Sequence, residues 1–162
     1  VNGPLTSWTD QDFDVVFRTL YGEARGEPIE GQTAVIYTMV NRALLARTRP
    51  IHIFGNGSLA SVCQAPWQYS CMNPGPIRSQ LLLLKPGSPG TARVCATVLG
   101  VLLGDLTPPT EPWWSPRMTH YHVATDPFPS GWTPNPKPDD WQPPSFDGII
   151  GKHAFYSEEK VP

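Results

Sequence analysis

The chain is short of charge. Only 16% of its 162 residues are Asp, Glu, Lys or Arg, against roughly 25% in ordinary soluble domains. It also lacks a basic excess: 12 Lys and Arg stand against 14 Asp and Glu, for a formal charge of −2. A general nucleic-acid binder carries the opposite balance. No apolar run approaches the roughly 18 residues that a membrane span needs, and the nearest, Val94 to Leu103, suits a buried helix. Cysteine is scarce, and three residues cannot make a closed disulfide set. Three free thiols with Cys95 buried is the expected state, and a bridge between Cys63 and Cys71 is the alternative. No second closely spaced Cys or His pair accompanies them, so a cysteine metal site is not expected. The chain opens on Val1 rather than Met, as a processed or trimmed start would, and compartment is not legible from such a start.

Proline is abundant and unevenly placed. Twelve of the 20 prolines follow Leu106, which separates a helical body, about residues 9–104, from a Pro- and Trp-rich region with short strands, about 105–162. The length suits one domain with its own core. Thr9 with Asp12 three residues on reads as a capping box, and Trp8 with Phe13 as a hydrophobic staple. Phe13, Val16, Phe17, Leu20, Tyr21 and Ala24 then follow helical spacing until Gly26 and Pro28 end it. A second helix is predicted over Glu30 to Arg47, with Ile36, Met39, Val40, Ala43 and Leu44 inward and Pro50 closing it. Residues 51–74 read as irregular with a short helical turn, and Ile77 to Leu84 as a short helix. The segment from Thr91 to about Leu103 is apolar nearly all round and is expected to be the central buried helix. Thr107 to Asp147 is expected to be irregular apart from Met118 to Val123, which has strand composition. His153 to Tyr156 has it too, and the two can pair antiparallel. The fold class is therefore mainly α (α+β).

The segment richest in chemistry is Tyr21-Gly22-Glu23-Ala24-Arg25-Gly26-Glu27. On a wheel of 100° per residue Glu23 falls about 20° from Val16, on the flank of the apolar stripe rather than the solvent face. It also sits in the last turn, at the negative end of the helix dipole. Partial burial and the dipole both favour a neutral, protonated carboxyl, which is what general-acid cleavage of a glycosidic bond requires. The plainer alternative is a helix-end Glu paired with Arg25 or Arg42.

Glu23-Ala24-Arg25-Gly26-Glu27, followed by Gly31-Gln32, Ala34-Val35 and Asn41-Arg42, resembles the signature of the SleB-type cell wall hydrolases. That family includes spore cortex-lytic enzymes and related peptidoglycan lytic transglycosylases of bacteria and phages. Gln68-Tyr69-Ser70, Thr119-His120-Tyr121 with Trp132, and Ile150-Gly151 with His153, Phe155 and Tyr156 resemble its later blocks, in order along nearly the whole chain. Two stretches depart from the pattern: a Pro/Trp-rich insertion, Pro108 to Arg117, and a long Pro-rich segment, Pro134 to Pro144.

The resemblance implies a lysozyme-like fold that cleaves the MurNAc–GlcNAc β-1,4 bond, with Glu23 as the single acid and base of a lytic transglycosylase. It implies Gln68, Tyr69, Thr119, Tyr121 and His153 as substrate-binding residues. Its substrate would make peptidoglycan strands the partner and set the protein facing the cell wall, whether secreted, periplasmic, spore-associated or phage-released; no cofactor and a monomer are expected. Trp113, Trp114, Trp132 and Trp141 either stack on sugars or anchor the Pro-rich loops. A hydrolase would need a second carboxylate, and Glu27, Asp126, Asp139, Asp140 and Asp147 are the candidates. Two other classes compete. One is a zinc enzyme using His120, His122 and His153; the other is a glycan-binding module that uses the groove without Glu23.

Overall fold

The computed structural model describes residues 7–48, 54–66, 68–126 and 145–157. Among the described residues five α-helices precede a small sheet: α1 (Asp10–Ala24), α2 (Ile29–Thr48), α3 (Leu59–Gln64), α4 (Pro76–Leu83), α5 (Ala92–Leu103), then β1 (Met118–Val123), β2 (Ser145–Ile150) and β3 (His153–Ser157). The start of α1 follows from its cap. The Thr9 hydroxyl oxygen accepts from the Asp12 N–H, and the Asp12 carboxylate accepts from the Thr9 N–H at 3.0 Å. Its other oxygen accepts from the Ala60 N–H at 2.9 Å, so one buried carboxylate caps α1 and docks the start of α3 on it. The predicted closure of α2 at Pro50 lies outside the described residues.

The central helix is α2, not α5. Every residue from Gly31 to Ala43 is buried, because α1, α3, α5 and the sheet enclose it from several sides. The helix α5 packs on α1 and α2. It hides Val94, Thr97, Val98, Val101 and Leu102 and leaves Leu99 and Leu103 partly in solvent. An apolar composition all round therefore misplaced the core helix, and Leu44, expected inward on α2, is exposed. Cys95 is half-buried rather than buried, and all three cysteines are free. In α4 only Leu81 is buried.

The sheet is antiparallel, in the order β1-β3-β2. The predicted pairing of the 118–123 and 153–156 runs is observed, with Tyr121 opposite Phe155. The strand β2 begins inside the stretch expected to be irregular, at Ser145, and runs past its end at Asp147. It forms a hairpin with β3 through Gly151, whose φ of 60° suits a residue without a Cβ. The insertion at 108–117 is fastened to the body. The Tyr37 hydroxyl donates to the Leu106 carbonyl at 3.0 Å, and Asn41 Nδ2 donates to the carbonyls of Ser115 and Met118. Trp113 and Trp114 lean on Phe155 at ring separations of 6.5 and 5.4 Å. Trp113 also covers Gly148 so closely that a Cβ there would lie 2.2 Å from the indole. These two tryptophans anchor the insertion; Trp132 and Trp141 lie outside the described residues.

Candidate active site

Glu23 ends α1 half-buried. The chain leaving α1 is held from below by Gln32, a fully buried side chain of α2. Its Nε2 donates to Ala24, Arg25 and Glu27 carbonyls at 3.2 to 3.5 Å, while its Oε1 accepts from the Thr97 hydroxyl at 3.0 Å. An α-helix leaves its last carbonyls unpaired, and here the Gln32 amide shares them with the Glu27 N–H, which donates to Ala24, and with Arg93, which donates to Arg25. The Gly31-Gln32 pair of the motif thus fixes the turn that carries Glu23.

Two donors hold the carboxylate itself. The Tyr121 hydroxyl donates to Glu23 Oε2 at 3.3 Å, and the Cys71 backbone N–H donates to Oε1 at 3.3 Å. Burial, then the nearby Glu23, pushes the Tyr121 phenol well above its ordinary range, so it remains a donor. Burial and Glu23 likewise push the Cys71 thiol up. The turn Ser70–Met72 reaches Glu23 because residue 22 is glycine: a Cβ there would stand 2.7 Å from both Cβ and Sγ of Cys71. Glu23 forms no ion pair with Arg25 or Arg42, so the plainer reading of this carboxylate does not hold.

Arg42 organises the remaining candidates. It is 3% exposed. Its Nε donates to the Thr119 carbonyl at 2.6 Å and its Nη1 to the Gln68 carbonyl at 3.4 Å. The guanidinium lies over Tyr69 and Phe54, at 4.9 and 5.4 Å from the ring centroids. One cation therefore ties the Gln68-Tyr69 segment to the start of β1. The six residues expected at the site, Glu23, Gln68, Tyr69, Thr119, Tyr121 and His153, thus lie in one connected region. They divide by exposure: Glu23, Gln68 and Tyr121 reach solvent, whereas Tyr69, Thr119 and His153 are buried. The His153 ring meets the Tyr121 ring edge-on at 5.1 Å.

Glu27 is also buried, and it points away from solvent. Its Oε2 accepts from the Lys152 N–H at 2.8 Å and stands 3.8 Å from His153 Nδ1. Burial pulls His153 below its ordinary range, although the charges of Glu27 and Glu23 act the other way. Of the other candidate carboxylates, Asp147 accepts from the Ser157 N–H at 2.7 Å and Asp126 is exposed. Asp139 and Asp140 lie outside the described residues.

The three histidines proposed for zinc diverge. His120 contacts Thr119 and Phe54, His122 stacks on Tyr156, and His153 faces Glu27 and Tyr121. Among the described residues no group of three or more His, Cys, Asp or Glu is arranged to hold a metal. Sequence reasoning missed the Cys71 N–H, the Arg42 hub and the Glu27 cradle. Only the last two left a signal, as Asn41-Arg42 and the spacing Glu27 to Gly31 within the motif.

Helices packed round one buried helix, with a three-stranded antiparallel sheet beside the end of the first, define an α+β domain of the lysozyme-like class. Two solved structures share it. The catalytic domain of the germination-specific lytic transglycosylase SleB from Bacillus anthracis aligns with a TM-score of 0.62 at 22% identity, over 94% of this chain and 99% of that one. The catalytic domain of the Bacillus cereus SleB protein gives 0.55 at 19%, over 94% of each chain. The chain therefore has the SleB catalytic-domain fold. No protein-family model and no curated protein matches it.

Proposed function

We propose that this protein is a peptidoglycan lytic transglycosylase that cleaves the MurNAc–GlcNAc β-1,4 bond with Glu23 as its only acid and base. The observation that carries the reading is one half-buried carboxylate held between a tyrosine hydroxyl and a backbone N–H. The shared fold with SleB catalytic domains, one of them named a lytic transglycosylase, supports it. The Glu23 carboxyl protonates the bridging oxygen, the bond to C1 of MurNAc breaks, and the GlcNAc side leaves as an alcohol. The carboxylate then accepts the proton of the C6 hydroxyl of the same MurNAc while O6 bonds to C1. The product is a 1,6-anhydro end, Glu23 is again protonated, and no water is consumed. Tyr121 and the Cys71 N–H support the carboxylate during its anionic interval.

Glu27 and Asp147 are engaged with backbone N–H groups, which speaks against either as the free second carboxylate that a hydrolase needs. In the proposed groove Gln68 and Tyr121 meet the sugar, while Tyr69, Thr119 and His153 act from behind them. The substrate places the working protein against a bacterial wall or spore cortex. Mass spectrometry of digested sacculi and cortex tests the proposal. Wild-type products are expected to be lighter by one water than hydrolytic ones. Glu23→Gln is expected to abolish lysis while keeping the fold and glycan binding. Products with only reducing ends would turn the reading to a hydrolytic muramidase. Full lysis by Glu23→Gln would overturn it, and binding without lysis by the wild type would make it a binding module.

A further inference from the structure

We infer that Glu27 and His153 form a positioning pair that sets Tyr121 against Glu23; the inference rests on the catalytic reading of Glu23 given above. Glu27 follows the acid by four residues, past the end of α1, and its carboxylate sits in a space cleared by two glycines. A Cβ on Gly151 would lie 2.2 Å from Glu27 Oε2, and one on Gly31 would lie 3.1 Å from it. The chain thus keeps side chains out of this spot from two different elements. A buried carboxylate costs folding energy unless its acceptors are met. The Lys152 N–H at 2.8 Å meets one oxygen and pins the β2–β3 turn to the exit of α1.

The same oxygen faces His153 Nδ1 at 3.8 Å, and that nitrogen, on a residue 4% exposed, has no hydrogen-bond partner among the described residues. A carboxylate repels an imidazole lone pair and attracts an N–H, so Glu27 selects the form of His153 with the proton on Nδ1. The ring orientation is thereby fixed, and the ring edge rests on Tyr121 with centroids 5.1 Å apart and planes at 86°. Tyr121 in turn donates to Glu23. Glu27 and Glu23 lie on one short stretch of chain, so the path from Glu27 through His153 and Tyr121 returns to the end of α1. The closed path braces the sheet against the acid. Sub-ångström alignment matters most in the second step, where Glu23 must take the proton of the C6 hydroxyl before water reaches C1.

The test compares Glu27→Gln, His153→Phe and their double variant on sacculi, with kcat, KM and product composition read together and folding checked by thermal melting. Glu27→Gln keeps an acceptor for the Lys152 N–H but not the charge that orients the imidazole. His153→Phe keeps the ring beside Tyr121 but not Nδ1. Each single variant is expected to lower kcat by roughly 10- to 100-fold with little change in KM. Each is also expected to raise the share of reducing-end products, which loss of folded protein alone would not change. The double variant is expected to be no worse than the weaker single, since the two act as a unit. Wild-type kcat and product composition in either folded single variant, or multiplied losses in the double, would overturn the pairing. If Glu27→Gln does not fold, the His153→Phe result decides. An inactive Glu23→Gln beside normal pair variants sinks this inference alone; an active Glu23→Gln sinks the catalytic reading beneath it.

Discussion

The hydrogen bond from Tyr121 to Glu23 joins residues 98 positions apart, and its donor is kept protonated by burial and by the carboxylate it serves. A bond to a charged group contributes about 1.5–3 kcal/mol. Tyr121→Phe is therefore expected to cut kcat by roughly 10-fold or more, measured as anhydro-product release at saturating sacculi, with KM little changed. Arg42 works by structure rather than chemistry. Arg42→Met leaves the Thr119 and Gln68 carbonyls without their donors, and urea unfolding should show a loss of about 2–4 kcal/mol. His120 is driven down to about 3 by burial and then by Arg42. The folded chain thus binds this proton less readily than the unfolded chain, whose histidines titrate near 6.5. The stabilisation is complete above that pH and drains away as pH falls toward 3, at about 1.4 kcal/mol per unit. Urea unfolding at pH 7.5 and pH 5 should show the fall, and His120→Asn should flatten it. At this scale the half-buried place of Glu23 at the end of α1 was legible from its wheel position. The Cys71 N–H was not, because a backbone donor in a turn carries no residue signature.

Among the elements, α1 was readable nearly to the residue, since its capping box and its closing Gly26 and Pro28 are local chemistry. The ranking of α2 and α5 was not. Burial depends on how many neighbours enclose a helix, and the polar residues of α2, including Gln32, Asn41 and Arg42, are buried because each finds a backbone carbonyl to bond. The strand β2 escaped notice because Ser145-Phe146-Asp147-Gly148 lacks a strict apolar alternation. It exists by pairing with β3 and by tucking Gly148 under Trp113. The hairpin turn gives the prediction at this scale. Gly151→Ala imposes a positive φ on a residue with a Cβ and drives that atom into the Glu27 carboxylate. Thermal unfolding should register a loss of about 1–3 kcal/mol, larger than that of Gly26→Ala, where a Cβ meets nothing within 4 Å.

Across the whole molecule, the core isolates two of the three thiols. Cys63 and Cys71 are buried while Cys95 is half-buried, and burial pushes the Cys63 thiol up to about 12. A thiol reagent added to the native protein should label Cys95 fast and the other two only on unfolding, three groups in all; a total of one after denaturation without reductant would mean that Cys63 and Cys71 are bridged. The sheet order has a further consequence for how the molecule comes into being. The middle strand, β3, is the last of the three in the chain. Its companions gain their sheet hydrogen bonds only once it has been made, and β1 meanwhile rests on α2 through the bonds of Asn41 and Arg42 to the Met118 and Thr119 carbonyls.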